Sequence, residues 1–564
     1  MRSKALFLTV PLILVLGAAP RTWAQEPAAT TEDPKKEEPG AKTPDRLDAV
    51  EKKVARDRLN FTGEIRVAND FIRGTQPAHF DGMALQKSIV DTLFYMRTNG
   101  GLPTASGTKA VSAFPDALSA NIAAHYSEYL YFLSQLTFPE LKAAMASFPP
   151  AQQQALMQLL MPGAARSARD YDNSILYTTR LRLNMNADVS EHLSFAGRLS
   201  MYKTWGDSAG VQVFNGQPSS LNIDGTSTSV PNGDAVRVDR AYFDWKKIAD
   251  TGLYLSIGRR PSSGGPPLEI RDNKLRGGTP LGHVVDFQFD GVTVGYVFDD
   301  EKLPGLLFRF CYGLGYESGF GTAAELRAPA DRLKDVHFGG FNVDLYSTDR
   351  MFVQGTALRA WNVTDGFNGL VVMPVDPLTG NATPGPVVMR YTPSANLGDI
   401  DLGALLVERH DGPVHTFASM AGMKTRPNTI TTPFGGLLSD PFSVPVGHDA
   451  WSVYAGARFD VAKSNTQIGL EYNHGSRYWF NFTQGADDIV GSKLATRGNA
   501  YEAYLSHVIG KNLAVRLSGI RYDNQYSGAG WHVGEPKPLD RMPILGFPTY
   551  GDAWDARLAL TVRF

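Results

Sequence analysis

Three short patterns in this chain carry residue types able to do chemistry. Gly206-Asp207-Ser208-Ala209-Gly210 spells G-x-S-x-G, which places a serine nucleophile on a tight strand-to-helix turn. An alternating strand precedes it here, but Val211–Ser220 (VQVFNGQPSS) reads as loop, so an external loop is expected and no catalytic residue. The eleven histidines are scattered singly. His410 and His415 flank a turn without the HExxH spacing that would put two imidazoles on one metal, so no metal site is expected. Gly313 and Gly315 lie inside an alternating strand, where close backbone packing explains them better than a dinucleotide site. The single cysteine, Cys311, has no internal disulfide partner. Neither an enzyme nor a cofactor is expected.

A fourth set is more informative. Arg180, Arg182, Arg198, Arg260, Arg309, Arg458, Arg516 and Arg557 occupy the polar positions of segments in which every second residue is apolar. If the apolar positions face lipid, these arginines face a lumen, joined by Asp399, Asp401, Glu471 and Glu502. Charged rings set pore selectivity, and an arginine excess of about four would favour anions. The alternative is that the arginines pair with lumen carboxylates and brace the wall. Arg259–Pro280 (RRPSSGGPPLEIRDNKLRGGTP) concentrates Glu269, Arg271, Asp272, Lys274 and Arg276 among glycines and prolines that permit tight folding. It reads either as a constriction loop bent into the lumen or as plain solvated loop charge.

The elements that must position these residues are strands. From Leu59 onward the dominant signal is period two, expected of strands with one apolar face. In the last of them Trp554, Ala556, Leu558, Leu560, Val562 and Phe564 share one face, while Arg557, Ala559, Thr561 and Arg563 share the other. Seven connections are short: Ala187–His192, Ile248–Gly252, Asp299–Pro304, Ser347–Arg350, His410–Pro413, Ala462–Asn465 and Gly510–Asn512. They alternate with long Gly/Pro/Ser/Asn-rich stretches at 204–234, 261–283, 318–335, 363–396, 425–448, 477–498 and 524–551. Brief turns alternating with large loops is the pattern of a transmembrane β-barrel with periplasmic turns and external loops. Counting Leu59–Val67, seven hairpin pairs and the final strand predicts an all-β antiparallel barrel of about 16 strands spanning 59–564. The insert at 70–169 differs. Leu118, Ile122, Tyr126, Tyr129, Leu133 and Leu136 recur at helical spacing, predicting a helical cap or a lumen plug.

What precedes the barrel fits export. Residues 1–24 read as a signal peptide, with Arg2 and Lys4 ahead of an apolar run and Thr22-Trp23-Ala24 as the cleavage site. Residues 25–43 (QEPAATTEDPKKEEPGAKT) read as a disordered linker. In 44–58, Leu47, Val50 and Val54 fall at a,d,a spacing, giving either a simple exposed helix or a short coiled coil between subunits, for which a homotrimer is expected. Without Arg2, Lys4 and Arg21 the 55 basic residues fall to 52 against 57 acidic, so charge offers no reason to expect nucleic acid. Aromatics at 11% and 56 glycines suit a barrel with interfacial belts and long loops. The expected location is the outer membrane of a Gram-negative bacterium, with its lipid as a partner.

The runs Arg198-Leu-Ser-Met-Tyr-Lys203 with Trp205-Gly-Asp207, Arg240-Ala-Tyr-Phe-Asp-Trp245, Gly258-Arg-Arg-Pro261 with Gly264-Gly-Pro-Pro267, and Asp290-Gly-Val-Thr-Val-Gly-Tyr296 resemble a proteobacterial family of outer-membrane proteins catalogued as a domain of unknown function. That resemblance implies a porin-like barrel and supplies no ligand. More loosely the chain is similar to trimeric general porins, whose loop between strands five and six folds into the pore; by count that loop is 261–283 here. The helix before the barrel is similar to N-terminal coiled coils of some phosphate-selective porins. A terminal aromatic such as Phe564 resembles the signal read by the barrel-assembly machinery. The function expected is passive diffusion of small hydrophilic solutes, with an anion preference. The rival expectations are a sleeve holding a multihaem cytochrome for electron export, its haem supplied by a partner since C-x-x-C-H is missing, and a non-conducting surface adhesin or receptor.

Overall fold

The computed structural model describes residues 59–101, 110–206, 213–214, 229–231, 233–319, 332–366, 369–375, 382–391, 393–546 and 549–564. The signal peptide, the linker, the 44–58 helix and Ser208 of the G-x-S-x-G pattern lie outside them. Sixteen antiparallel strands close on themselves. The first six are β1 (Leu59–Gln76), β2 (Arg169–Asp188), β3 (Leu193–Thr204), β4 (Gly233–Trp245), β5 (Leu253–Arg259) and β6 (Asp290–Val297). Next come β7 (Leu307–Tyr316), β8 (Val336–Ser347), β9 (Met351–Thr364), β10 (Asn396–Asp411) and β11 (Val414–Pro427). The last are β12 (Asp449–Val461), β13 (Thr466–Gly475), β14 (Gly498–Ile509), β15 (Leu513–Asn524) and β16 (Asp552–Arg563). The ring shuts where β1 pairs β16, with Glu64 opposite Arg563 and Thr75 opposite Asp552. Closure matters because lipid offers no partner for an open edge.

Each of the seven short connections read from the sequence is a turn at one end of the barrel, the periplasmic end for this architecture. Gly412, at φ 58, supplies the left-handed residue that lets Asp411 and Val414 pair directly across the tightest of them. Outward positions are apolar and bare: Met420 and Leu470 are each 64% exposed, and Trp451, Phe459, Tyr501, Leu517 and Trp554 are also open. In water such a belt would be one very large apolar patch; in a membrane it is the lipid contact.

Phe564 ends the chain at this rim. Its N–H donates to the Gly63 carbonyl (3.0 Å) and its carbonyl accepts from the Gly63 N–H (2.7 Å). The ring lies so close over Gly63 that a Cβ there would sit 2.5 Å from it. The Phe564 ring is therefore seated on the first strand and exposed at the seam. Deleting Phe564 is expected to lower the amount of assembled protein several-fold without blocking export, measured by outer-membrane fractionation; normal assembly would remove any signalling role.

Among the described residues the insert after β1 contains five helices, α1 (Gly82–Asn99), α2 (Ala110–Ala124), α3 (Tyr126–Gln135), α4 (Phe138–Ser147) and α5 (Pro150–Ala164). Asp81 caps α1 by accepting from the Met83 and Ala84 N–H groups, and Thr137 with Glu140 forms a capping box on α4. Leu85, Ile89, Phe114, Leu118, Leu141, Leu156 and Leu160 make a core of their own, which is why the insert folds as a unit at the loop end. Its ties are to barrel loops. Gln86 Nε2 donates to the Pro433 carbonyl (2.6 Å), Lys142 Nζ to Thr431 Oγ1 (2.7 Å), and Phe80 pairs Ile544.

The lumen holds a second core that alternation does not foretell. The inner faces of β8 to β12 present Phe338, Phe352, Ile400, Leu402, Leu406, Phe417 and Met423, all buried. Against them pack inward-folded loop residues including Leu281, Val285, Phe287, Leu437, Trp479, Phe482 and Trp531. This corrects two expectations. Asp399 and Asp401 lie on the outer face, because apolar Ile400 and Leu402 between and beside them point into the core and not to lipid; Asp401 pairs there with Arg359 (2.5 Å) and Arg426 (2.9 Å). The loop expected at 261–283 extends to 289, since Val285 and Phe287, which read as strand, are core side chains in the lumen.

Candidate pore and its charged vestibule

Two loops cross the lumen. The first, residues 260–289, leaves β5 with Arg260 Nε donating to Ser256 Oγ (2.9 Å) and its Nη1 reaching Thr293. Gly264 N–H donates to Asp286 Oδ1 (2.8 Å), folding the loop back on itself. The helical turn Leu268–Asp272 then hangs between opposite walls. Arg458 Nη1 donates to the Ile270 carbonyl (2.7 Å) and Arg516 Nη1 to the Arg271 carbonyl (3.0 Å). On one side Lys274 Nζ meets Glu64 at 2.8 Å; on another Arg276 bridges Glu269 (2.8 Å) and Glu408 (3.3 Å). All five residues expected in a constriction loop are therefore inside the barrel.

The second crossing loop, residues 476–497, zips onto the first. Asp286 N–H donates to the Phe482 carbonyl (2.6 Å) and Phe482 N–H to the Val284 carbonyl (3.0 Å). Its tip reaches the β1–β2–β16 seam, where Asp487 is clamped by Arg66 and by Arg180 Nη1 (2.7 Å), while Arg557 Nη1 donates to the Asp487 backbone carbonyl (2.9 Å). Its far end is pinned by Lys493, whose amino group sits between the Glu471 and Glu502 carboxylates with all three buried.

The eight arginines expected inside are all inside, each at an inward strand position or at the loop junction. Seven have a carboxylate within 4 Å. Arg198 binds Asp239, Arg309 binds Asp344 (2.7 Å), Arg557 binds Asp70 (2.5 Å) and Arg458 binds Asp460 (2.8 Å). Arg180 and Arg182 share Glu64 (2.9 and 3.8 Å), and Arg516 meets Glu502 (3.0 Å). Arg260 alone of the eight holds only hydroxyls. The wall carries more charges of both signs than the expected eight arginines and four carboxylates: Arg66 and Arg240 also face inward. Glu64, Asp70, Asp239, Asp344, Glu408, Asp460 and Asp555 join Glu471 and Glu502 on the inner wall, having been hidden in less regular stretches of alternation. Sequence reasoning also missed Asp487 and Lys493; the acidic pair Asp487-Asp488, the only carboxylates in the 476–497 loop, was the available signal.

Below the crossing loops lies a vestibule of about 700 Å³ that opens at the turn end. Arg180, Arg182, Arg198, Arg240, Arg271, Lys274 and Arg563 line it against Glu64, Glu269, Asp272, Asp286 and Asp487, with the Phe564 terminus at its rim. Burial, with the Glu408 carboxylate beside it, pushes Glu269 up to about 7, and burial pushes Asp286 up to about 7. His410 and His415 face one another at the rim (Nδ1···Nδ1 2.8 Å), and among the described residues no group of three or more His, Cys, Asp or Glu is arranged to hold a metal.

A closed sixteen-stranded sheet with a bare apolar belt, short turns at one end and large loops at the other defines an outer-membrane, porin-like β-barrel. The chain belongs to the protein family of unknown function DUF3373, whose sequence profile matches residues 170–564. No curated protein matches it. Among solved structures it is similar to the in-vitro folded trimer form of OmpT, an outer membrane protein of Vibrio cholerae, at 10% identity over 90% of this chain and 99% of that one, TM-score 0.38. It is also similar to Salmonella typhi OmpF in complex with daunomycin, at 9% identity over 90% and 97%, TM-score 0.38. A third is the high-pH structure of Pseudomonas putida OprB, at 9% identity over 92% and 97%, TM-score 0.36. At these scores the likeness carries no weight on solute or assembly, and the barrel rests on its own strand pairing.

Proposed function

We propose that the protein is a loop-gated outer-membrane channel for small hydrophilic solutes, with a modest anion preference set in the periplasmic vestibule. The observation that carries this reading is the way the crossing loops are hung. Their lower edge meets the wall through ion pairs: Asp487 with Arg66 and Arg180, Asp272 with Arg516, and Lys274 with Glu64. Water and passing ions can replace such contacts one at a time, which an apolar seal does not allow. Passage then requires the 476–497 tip to leave the seam. A sleeve around a cytochrome is less well supported, because the space a second protein would need is taken by the chain's own loops.

The test is conductance of the purified protein in planar bilayers, where brief openings over a mostly shut baseline are expected; a barrel that never conducts would favour a receptor or adhesin. Selectivity should depend on pH. Glu269 and Asp286, both with pKa pushed to about 7, are ionised at pH 8 and largely protonated at pH 6. Acidification therefore removes negative charge from the vestibule and leaves its arginines. The reversal potential in a dilute KCl gradient is expected to shift toward the anion value between pH 8 and pH 6. A shift toward cations would place the selective step elsewhere.

A further inference from the structure

A separate cavity of about 630 Å³ lies at the opposite end, between the helical cap and the barrel loops. Leu85, Ile89 and Met157 wall it from the cap, and Phe434, Trp531 and Leu545 from the loops. Its size and apolar lining are those of a small-molecule site, and the methionine gives the wall some adaptability. The polar groups on its margin are nearly all spent. Lys537 is matched by Asp440 and Glu535 (3.0 Å), and Arg497 donates to the Trp479, Ser527 and Trp531 carbonyls at 2.8, 2.8 and 2.6 Å. Gln86 and Gln153 donate to backbone carbonyls. Lys142 is the exception. Its ammonium has only the Thr431 hydroxyl (2.7 Å) and the Ser443 carbonyl (3.5 Å), and among the described residues no carboxylate lies within ion-pair distance.

Among the described residues Arg497 is also without a carboxylate but is fully engaged by carbonyls, whereas Lys142 keeps donor capacity to give. An apolar chamber with such a cation at its edge selects a molecule with an apolar body and one negative head. We propose that this cavity binds a small amphipathic monocarboxylate, its chain among Leu85, Ile89, Met157 and Trp531 and its carboxylate on Lys142. The charge fixes orientation and the apolar walls supply most of the affinity. The chamber lies above the crossing loops, so its occupancy can be measured apart from conduction.

The probes are octanoate and its neutral counterpart 1-octanol, titrated calorimetrically into the full-length protein in lipid nanodiscs, with empty nanodiscs as the blank. Saturable octanoate binding above the blank is expected. Lys142→Gln should weaken octanoate about tenfold, the loss of one charge-assisted contact, while leaving 1-octanol unchanged. Ala146→Trp, which fills the chamber from the exposed face of α4 without touching the cap core, should abolish both. Octanoate uptake equal to the blank would overturn the proposal, as would binding that neither variant alters. Equal weakening of both probes by Lys142→Gln would overturn the assignment of the carboxylate to that lysine.

Discussion

Replacing Asp487 with asparagine should turn a mostly shut barrel into a frequently open one. The carboxylate is held by Arg66 and Arg180, and Arg557 grips the backbone beside it. Asparagine keeps the shape and removes the charge. Three guanidinium groups then face one another across the seam with Glu64, Asp70 and, at 3.9 Å from Arg557, Asp555 to divide among them. Losing one partner of a buried, hydrogen-bonded charge pair costs about 2–5 kcal/mol, much of it from the charges left unmatched. That cost falls on the closed arrangement, because a released tip lets the arginines rehydrate. With each 1.4 kcal/mol worth tenfold, the open fraction should rise at least about tenfold. Single-channel recordings of wild type and Asp487→Asn would show it, with an unchanged heat-dependent gel shift confirming that the barrel itself is intact. Identical open probabilities would mean that the clamp is structural and the gate lies elsewhere.

The barrel wall was legible in the sequence because the membrane imposes a rule on every residue of it. Lipid outside and paired strands around leave only two environments, so period two reads directly as outward or inward, and Trp554, Leu558 and Leu560 lie open to lipid as their spacing requires. The seven turns are equally plain, since a short link between antiparallel neighbours has few solutions. The rule fails where the lumen stops being wet. Ile400 and Leu402 look lipid-facing by composition, yet they face a core built from loops of other hairpins, which carries Asp399 and Asp401 to the outer surface. The same cause hid the gate. Asp487 meets Arg66 and Arg180 across separations of 421 and 307 residues, and no local pattern encodes where a loop tip will land. Alternation located the arginines but was silent on their partners, so the charge of the pore had to come from the folded chain.

Lys493→Met should be the most destabilising single change in the lumen. The lysine is only 2% exposed and lies between Glu471 and Glu502, themselves 1% and 3% exposed. Methionine matches its length but leaves two carboxylates facing each other without their shared cation. Tyr454 Oη donates to Glu471 (2.6 Å), while Glu502 keeps Arg516 (3.0 Å) and Arg271 (3.6 Å), so Glu471 is the acid left without a cation. Breaking a buried ionic contact from one side costs on the order of 3–5 kcal/mol, and the 476–497 loop loses its far anchor with it. The expected result is a fall in the temperature at which the folded band is lost from unboiled gels, together with poorer recovery of folded protein. Glu471→Gln in the same chain should restore a large part of the loss, because glutamine still accepts from Tyr454 and no longer carries a charge. Two neighbouring sites that compensate in this way are coupled, and the double-mutant cycle measures by how much. If Lys493→Met alone melts like wild type, water reaches the Glu471–Glu502 pair, and the lumen at that depth is wet rather than sealed.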